Sequence, residues 1–578
     1  MIKTLAKCVR ENKKNAILTP ILVSLEVVME VLIPLIMAAL IDKGINANSM
    51  DNIIKYGLLL LLCAVLSFCF GAGAGITAAR ASCGFAKNLR QDMFYNIQKF
   101  SFSNIDKFSS ASLVTRLTTD VTNVQMAFQM LTRMAFRSPI MLVFALISSF
   151  NISVKLSLIF VAVLPFLGFG LFFLISKVHP IFTRVFKTYD KLNAIVEENI
   201  NGVRVVKSFN REKFEEDKFN SISDEIYQDF TKAEKLLAFN HPLMMTSMFV
   251  CMLMISWFGA QMIVNSNQTV LTVGELTSFI SYTMQILMGL MMISVLFVFM
   301  TLSRASGQRI CEVLNEKTDL DNPENPITEV KDGSITFDNV SFYYGKNPEM
   351  LVLDNINLNI ASGETVGILG TTGSSKSSLI SLIPRLYDVV SGSVSVGGVD
   401  VRKYDLTVLR DSVSVVLQKN ILFSGTINEN LRWGNENATD EEIKEACRLA
   451  QADSFIESFP DKYETVIDQG GTNVSGGQKQ RLCIARSLLK KPKILILDDS
   501  TSAVDTKTDA LIRAAFKSYI PETTKIIIAQ RVASVMEADK IVIIDNGKII
   551  NIGNHDQLMA NEPIYREIYD SQMKGDEE

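Results

Sequence analysis

The chain has 578 residues, of which 48% are hydrophobic and 20% charged, and its net charge is −4. That balance gives no global basis for nucleic-acid binding. Three histidines and eight cysteines, none spaced Cys-x-x-Cys, argue against a zinc site and for cysteines that act as small buried hydrophobes. A mean hydropathy of +0.23 points instead to a membrane, and the length predicts more than one domain.

The opening, MIKTLAKCVRENKKN, is polar and basic, and the apolar run after it is too long for a signal-peptide core, so no cleaved leader is expected. Six apolar stretches then reach the roughly 20 helical residues that span a bilayer; they lie near 16–41, 55–80, 134–152, 156–178, 243–264 and 275–303. Residues 42–54, 153–155 and 265–274 are short connections, whereas 81–133 and 179–242 are long, polar and helical in pattern. The long connections carry Lys87, Arg90, Lys99, Arg116, Arg184, Lys187, Arg204 and Lys207, and the short ones little beyond Lys43 and Lys155. The positive-inside rule therefore places the long connections and both termini in the cytosol. Without strand patterns or cores of their own, these connections read as helical hairpins rather than inserted soluble domains.

Within the spans, Glu26 and Glu30 stand one turn apart on one face of the first. A carboxylate at membrane depth suggests function, and two readings are open: attraction of cationic amphiphiles into an inner cavity, or a structural pair bonded to neighbouring helices. Spans five and six are rich in methionine, including Met244, Met248, Met288, Met291 and Met292. Flexible thioethers suit promiscuous binding, with Met288 and Met292 as cavity candidates, and equally suit ordinary packing. Gly71, Gly73 and Gly75 predict close helix packing in span two.

Residues 316–332, with two prolines and many charges, read as a linker. The boundaries drawn from this are 1–312 for the membrane domain, 313–332 for the linker and 333–578 for a C-terminal domain. In that domain, strand-like runs at 334–337, 365–369, 494–497, 525–528 and 540–544 alternate with helical patterns. The fold class is thus a multi-domain membrane protein: an all-α six-helix transmembrane domain with long cytosolic helical extensions, then an α/β domain.

The strand at 365–369 runs into Gly370-Thr371-Thr372-Gly373-Ser374-Ser375-Lys376-Ser377, followed by Ser378. Such a loop presents backbone N–H groups and a helix start to phosphates. Lys376 would reach the β- and γ-phosphates and Ser377 would hold Mg²⁺. Ser375 replaces the glycine of this pattern and would be strained if the backbone there needs a positive φ. Val474-Ser475-Gly476-Gly477-Gln478-Lys479-Gln480-Arg481 lies further on, and a hydrophobic strand ending in Asp498 comes after it; a carboxylate there is the expected Mg²⁺-side partner.

With these motifs in this order, essentially the whole chain resembles the ATP-binding cassette (ABC) transporters of the six-helix exporter type. The resemblance implies ATP and Mg²⁺ as cofactors, Tyr344 stacking on adenine, and Gln418 touching Mg²⁺ beside Ser377 and Asp498. It implies that Ser475, Gly476, Gly477 and Gln478 form the signature that contacts ATP on an opposing cassette. Ser502-Ala503-Val504-Asp505 would cross between cassettes. Residues 468–471 replace the usual Gly-Glu-Arg-Gly with Asp-Gln-Gly-Gly. Residues 102–121 and 198–209 resemble the first and second cytosolic coupling loops.

Two departures bear on mechanism. The residue after Asp498 is normally a water-polarising glutamate and here is Asp499, shorter by one carbon, about 1.5 Å. The switch histidine is here Gln530, which can donate a hydrogen bond but cannot carry an imidazolium charge. Both together resemble the degenerate-site subunit of heterodimeric bacterial multidrug exporters. The expected partners are a second half-transporter with the competent glutamate and histidine, membrane lipid and an amphiphilic small-molecule cargo, with no nucleic acid. The expected location is the bacterial cytoplasmic membrane. Alternatives are a homodimer with two slow sites, a lipid or peptide exporter, and a regulatory or channel-like ABC protein; with no protease-like extension ahead of the spans, peptide processing is not expected.

Overall fold

The structure, a computed structural model, describes residues 1–345, 351–371, 373–499 and 505–575. It divides into two compact units, residues 1–98 with 110–316 and residues 99–109 with 317–578.

In the first unit the six expected apolar stretches lie within the helical segments Arg10–Ile45, Met50–Ile97, Ser110–Ile152, Val154–Ser208, Glu212–Ser266 and Val273–Asn315, each long and apolar enough to cross a membrane. Span and polar leg form one helix in Met50–Ile97, Val154–Ser208 and Val273–Asn315, whereas the Glu212–Leu237 leg and the Asn240–Ser266 span are separate helices. The Met50–Ile97 helix buries Ala74, Ala78, Ala81, Phe85, Leu89 and Met93, so its buried stripe keeps helical spacing while its composition turns polar. A change of polarity alone gives a helix no reason to end. The last helix likewise runs to Asn315, so residues 313–315 of the expected linker are helical.

The last span is stitched to the first. Ser278 Oγ donates to Pro34 O at 2.5 Å, Tyr282 OH to Val31 O at 2.8 Å and Gln285 Nε2 to Glu30 O at 3.3 Å. The third bond arises from Pro34: it has no N–H to give to Glu30 O four residues back, and Gln285 supplies that donor. Val27, Val31, Ala145, Phe160, Ile255, Phe279 and Tyr282 form the buried core around this seam. A Cβ at Gly71 would lie 2.9 Å from Glu26 Oε1 and one at Gly73 would lie 3.3 Å from Leu22, so both mark close approaches. Gly75 faces open space, contrary to the packing expected of it.

The second unit has strands β1 (Ile335–Phe342), β2 (Leu353–Ile360), β3 (Thr365–Leu369), β4 (Ser391–Val396), β5 (Val399–Asp400), β6 (Val413–Val416), β7 (Gly425–Thr426), β8 (Val466–Ile467), β9 (Ile494–Asp498), β10 (Thr524–Ile528), β11 (Lys540–Asp545) and β12 (Lys548–Gly553). One sheet has the order β12-β11-β3-β10-β9-β6 and is parallel except for β12; an antiparallel sheet has the order β2-β1-β4-β5. The parallel strands are buried along their length, as a sheet covered on both faces requires. Ile528 pairs with both Ile368 and Asp498, so β3, β10 and β9 end in register. Loops leaving those carboxyl ends meet where open α/β sheets bind ligands.

The tip of the first long connection belongs to this unit and not to the helical one. The Phe102–Lys107 helix is capped by Ser101 and Asn104. Asn104 Nδ2 donates to Lys317 O at 3.1 Å, and Tyr387 OH donates to Asp106 Oδ2 at 2.8 Å.

Candidate functional site

Loops leaving the carboxyl ends of β3, β6, β9 and β10 build a cleft of about 320 Å³, lined among others by Gly373, Ser374, Ser375, Lys376, Ser377, Ser378, Gln418, Asp498, Asp499 and Gln530. The first loop leaves β3 at Gly370, where a Cβ would sit 2.2 Å from Ile544 O of β11. Only glycine fits there. Gly373 takes φ +87°. Ser375 takes φ +74° and ψ 20°, the left-handed region where a side chain is strained. The serine that breaks the glycine pattern therefore stands where the backbone wants glycine.

Lys376 begins the helix after this loop. Its Nζ donates to Gly370 O at 2.9 Å, Thr371 O at 2.8 Å and Ser374 Oγ at 3.2 Å, folding the loop round the ammonium. Burial holds this lysine below its ordinary range, against the pull of Asp498 and Asp499. Ser377 Oγ donates to Asp498 Oδ2 at 2.8 Å. Burial pushes Asp498 up, Ser377 and Lys376 pull it down and Asp499 adds to the rise.

Asp499 sits just past β9 with φ +46°, and its N–H donates to Ile528 O at 3.0 Å. Its Oδ2 accepts from Gln530 Nε2 at 3.2 Å and from Gln418 Nε2 at 3.4 Å. Three residues far apart in sequence thus converge in the cleft lining. Tyr344 does not line the cleft, but its hydroxyl pairs with that of Ser378, which does, at 2.9 Å. Its ring stands edge-on to Phe342 and Tyr387 at 4.9 and 5.2 Å between centroids. Thr372 and residues 500–504, including Ser502, Ala503 and Val504, lie outside the described residues.

The donor set suits Mg²⁺ and a nucleotide. The Ser377 hydroxyl, the Asp498 carboxylate and the Gln418 side-chain carbonyl are hard oxygen donors, and the glycine-lined turn leaves room for phosphate against backbone N–H groups.

Ser475, Gly476, Gly477 and Gln478 do not join this cleft. Ser475 caps the Gly476–Leu489 helix: its Oγ accepts from Gln478 N at 3.3 Å, and Gln478 Oε1 accepts from Ser475 N at 2.9 Å. This motif is the start of a 14-residue helix with Ser475 and Gly476 exposed. Asp505 caps the Thr506–Tyr519 helix, and the hydrogen bond from Thr508 N, at 2.9 Å, holds its carboxyl below the ordinary range.

In the helical unit, Arg137 bridges the two intramembrane glutamates. Its Nη1 donates to Glu26 Oε1 at 2.5 Å and its Nη2 to Glu30 Oε1 and Oε2 at 2.7 and 2.8 Å. Glu26 is buried, and its Oε2 has no hydrogen-bond partner among the described residues. Met244, Met248 and Met291 pack with Leu167, Leu171 and Leu287, whereas Met292 is half-buried and Met288 is exposed.

Sequence reasoning missed three contributors. Arg137 stands inside the third apolar stretch, and a lone arginine there beside two lone glutamates in the first was the available signal. Tyr387 packs on Tyr344, and Gln572 holds the backbone of Gln530; neither belongs to a motif.

Comparison with known proteins agrees with this geometry. The family model for the ABC transporter transmembrane region matches residues 16–291, and the ABC transporter family model matches residues 353–502. The chain is 37% identical to YfiB, an uncharacterized ABC transporter ATP-binding protein of Bacillus subtilis, over 96% of this chain and 95% of that one. It is 34% identical to an uncharacterized ABC transporter ATP-binding protein of Mycobacterium tuberculosis over 93% of each. Its fold matches the structure of a bacterial Atm1-family ABC exporter with ATP bound, with a TM-score of 0.83 at 22% identity, covering 98% of this chain and 99% of that one. The chain belongs to the ABC transporter family and is an ATP-hydrolysing, multi-pass membrane transporter of the six-helix exporter type.

Proposed function

We propose that this chain is the degenerate-site half of a heterodimeric exporter in a bacterial plasma membrane, carrying amphiphilic drug-like or lipid-like compounds out of the cytosol or inner leaflet. The observation that carries this reading is the capture of the Asp499 carboxylate by the amides of Gln530 and Gln418. A general base must come within about 2.6–3.2 Å of the proton it takes. Asp499 is one carbon short of that reach, and the oxygen that would accept the proton already accepts hydrogen bonds from two amides, which compete with an attacking water for it. Gln530 adds no positive charge beside the γ-phosphate.

The remaining residues are suited to binding. Lys376 and the loop N–H groups hold the phosphates, Tyr344 stacks on adenine, and Ser377, Gln418 and Asp498 would hold Mg²⁺. When bound, the ion neutralises charge on the β- and γ-phosphates. Ser475 to Gln478 serve the partner's nucleotide: their exposed helix start presents N–H groups that no residue of this chain's own cleft uses. Asp505 belongs to the segment between cassettes. Nucleotide-driven closure of the two cassettes turns the membrane cavity outward, and hydrolysis on the partner reopens it.

For the cargo, the Glu26–Glu30–Arg137 cluster counts two carboxylates against one guanidinium. It leaves an excess of acid in the helical unit, and Met288 and Met292 on the last span supply adaptable apolar side chains.

The test is co-expression with a second exporter half-transporter that carries the glutamate and histidine. This chain alone should hydrolyse little ATP and the pair should hydrolyse it well. Robust turnover by the lone purified chain would contradict the reading and favour a homodimer. Solute that equilibrates without accumulating in inverted vesicles would point to a channel.

A further inference from the structure

We propose that Gln572, on the C-terminal helix, is a positioning residue for the γ-phosphate end of this chain's nucleotide site, acting through Gln530. The proposal rests on the reading of Gln530 as the residue beside the γ-phosphate.

Strand β10 ends at Ile528, and the chain turns at Val532–Ser534. Between them the backbone has left the sheet. Gln572 takes the sheet's place: its Nε2 donates to Gln530 O at 2.8 Å, and its Oε1 accepts from Val532 N at 2.8 Å. A carboxamide carries a donor and an acceptor on one planar group, so a single side chain closes both bonds as a neighbouring strand would. The peptide it grips carries the Gln530 side chain, whose Nε2 reaches Asp499 Oδ2 at 3.2 Å.

Gln572 is itself firmly held. Its helix, Pro563–Gly575, is anchored by Tyr565, fully buried and hydrogen-bonded to His555 Nδ1 at 2.7 Å. Ile568 and Tyr569 pack on the cassette core. Tyr565, Ile568 and Gln572 are spaced i, i+3, i+7 and share one face. The core thus dictates where the Gln572 amide stands, and that amide dictates where Gln530 points. Glutamate at 572 would keep the acceptor for Val532 N but lose the donor to Gln530 O; alanine would lose both.

The experiment uses the full-length chain assembled with its partner half-transporter in lipid nanodiscs. Photoreactive azido-ATP labels this chain's own loop, with ATP and ADP as competitors. One lost hydrogen bond of ordinary strength corresponds to about five-fold in affinity. Gln572→Ala should therefore weaken ATP about five-fold and ADP less than about two-fold, because only ATP has the γ-phosphate. Gln572→Glu should fall in the same direction and carries the test if the alanine variant does not fold. In a Gln530→Ala background either change should have no further effect on the ATP-to-ADP preference.

Equal weakening of both nucleotides, or an ATP-selective loss that persists undiminished without the Gln530 side chain, would overturn the proposal. If Gln530→Ala shifts the preference and neither Gln572 variant does, the positioning role alone falls. If Gln530→Ala shifts nothing, the reading of Gln530 falls and takes the proposal with it.

Discussion

Gln530 donates from Nε2 to Asp499 Oδ2 across 3.2 Å, so the two residues that depart from the exporter pattern are partners in space. Each alone would be a minor change. Together they replace an acid and a cationic ring with a shorter carboxylate hydrogen-bonded to an uncharged amide. A misplacement of about 1 Å at a reacting centre costs on the order of 10²-fold in rate. Asp499→Glu combined with Gln530→His should therefore raise single-turnover hydrolysis at this chain's loop by about 10²-fold, read as phosphate release. Asp499→Ala should change the turnover of the assembled pair little, whereas Ser475→Arg should abolish it.

Ser375 holds φ +74° against its own side chain. A non-glycine residue in the left-handed region costs about 1–2 kcal/mol, which glycine avoids. Ser375→Gly should stabilise the nucleotide-free cassette by about 1 kcal/mol and tighten ATP at this loop, measured by thermal unfolding and by equilibrium binding. A destabilised glycine variant would show that the serine contributes more than it strains.

The Asp498 carboxyl lies above the ordinary aspartate range because it is buried. A carboxyl whose folded pKa exceeds its unfolded one stabilises the fold fully below the unfolded value, and that contribution fades as pH rises through the folded value. Asp498→Asn should therefore raise the unfolding temperature of the nucleotide-free protein at neutral pH, by about 2–4 °C per kcal/mol recovered. It should also remove the extra stability that Mg²⁺-ATP confers. In the parent chain, Mg²⁺ binding should weaken as pH falls toward the raised Asp498 value, and this slope should vanish in the asparagine variant.

Arg137 compensates Glu26 and Glu30 within the membrane-spanning helices. Removing one partner of a buried ion pair costs about 3–5 kcal/mol, so Arg137→Met should lower the yield of folded protein sharply. Adding Glu26→Gln and Glu30→Gln should restore it. If the restored triple variant still accumulates neutral cargo but not cationic cargo in inverted vesicles, the cluster selects for charge. Unchanged transport of both would assign it to structure alone.

The spans, the cassette and the phosphate loop were legible because local signals carry them. Apolar length marks a span, strand-then-glycine marks the loop, and a hydrophobic run ending in Asp498 marks the strand beside it. Ser375 was legible as a misfit, since its pattern position already asks for glycine. What escaped depends on contacts distant in the chain. Arg137 reaches back more than a hundred positions to Glu26, and its role exists only once two spans pack. Gln572 meets Gln530 from a terminal helix whose sequence shows an amphipathic face and nothing more. The grouping of residues 99–109 with the cassette rests on bonds such as Tyr387 to Asp106, which no periodicity announces.

The central claim is that nucleotide held by Lys376 is gripped and seldom split. The most direct measurement loads the assembled pair with radiolabelled azido-ATP, crosslinks at intervals during turnover and reads the label on each chain as ATP or ADP. The account predicts intact ATP on this chain through many cycles while the label on its partner turns to ADP. Equal rates of conversion on the two chains would contradict it.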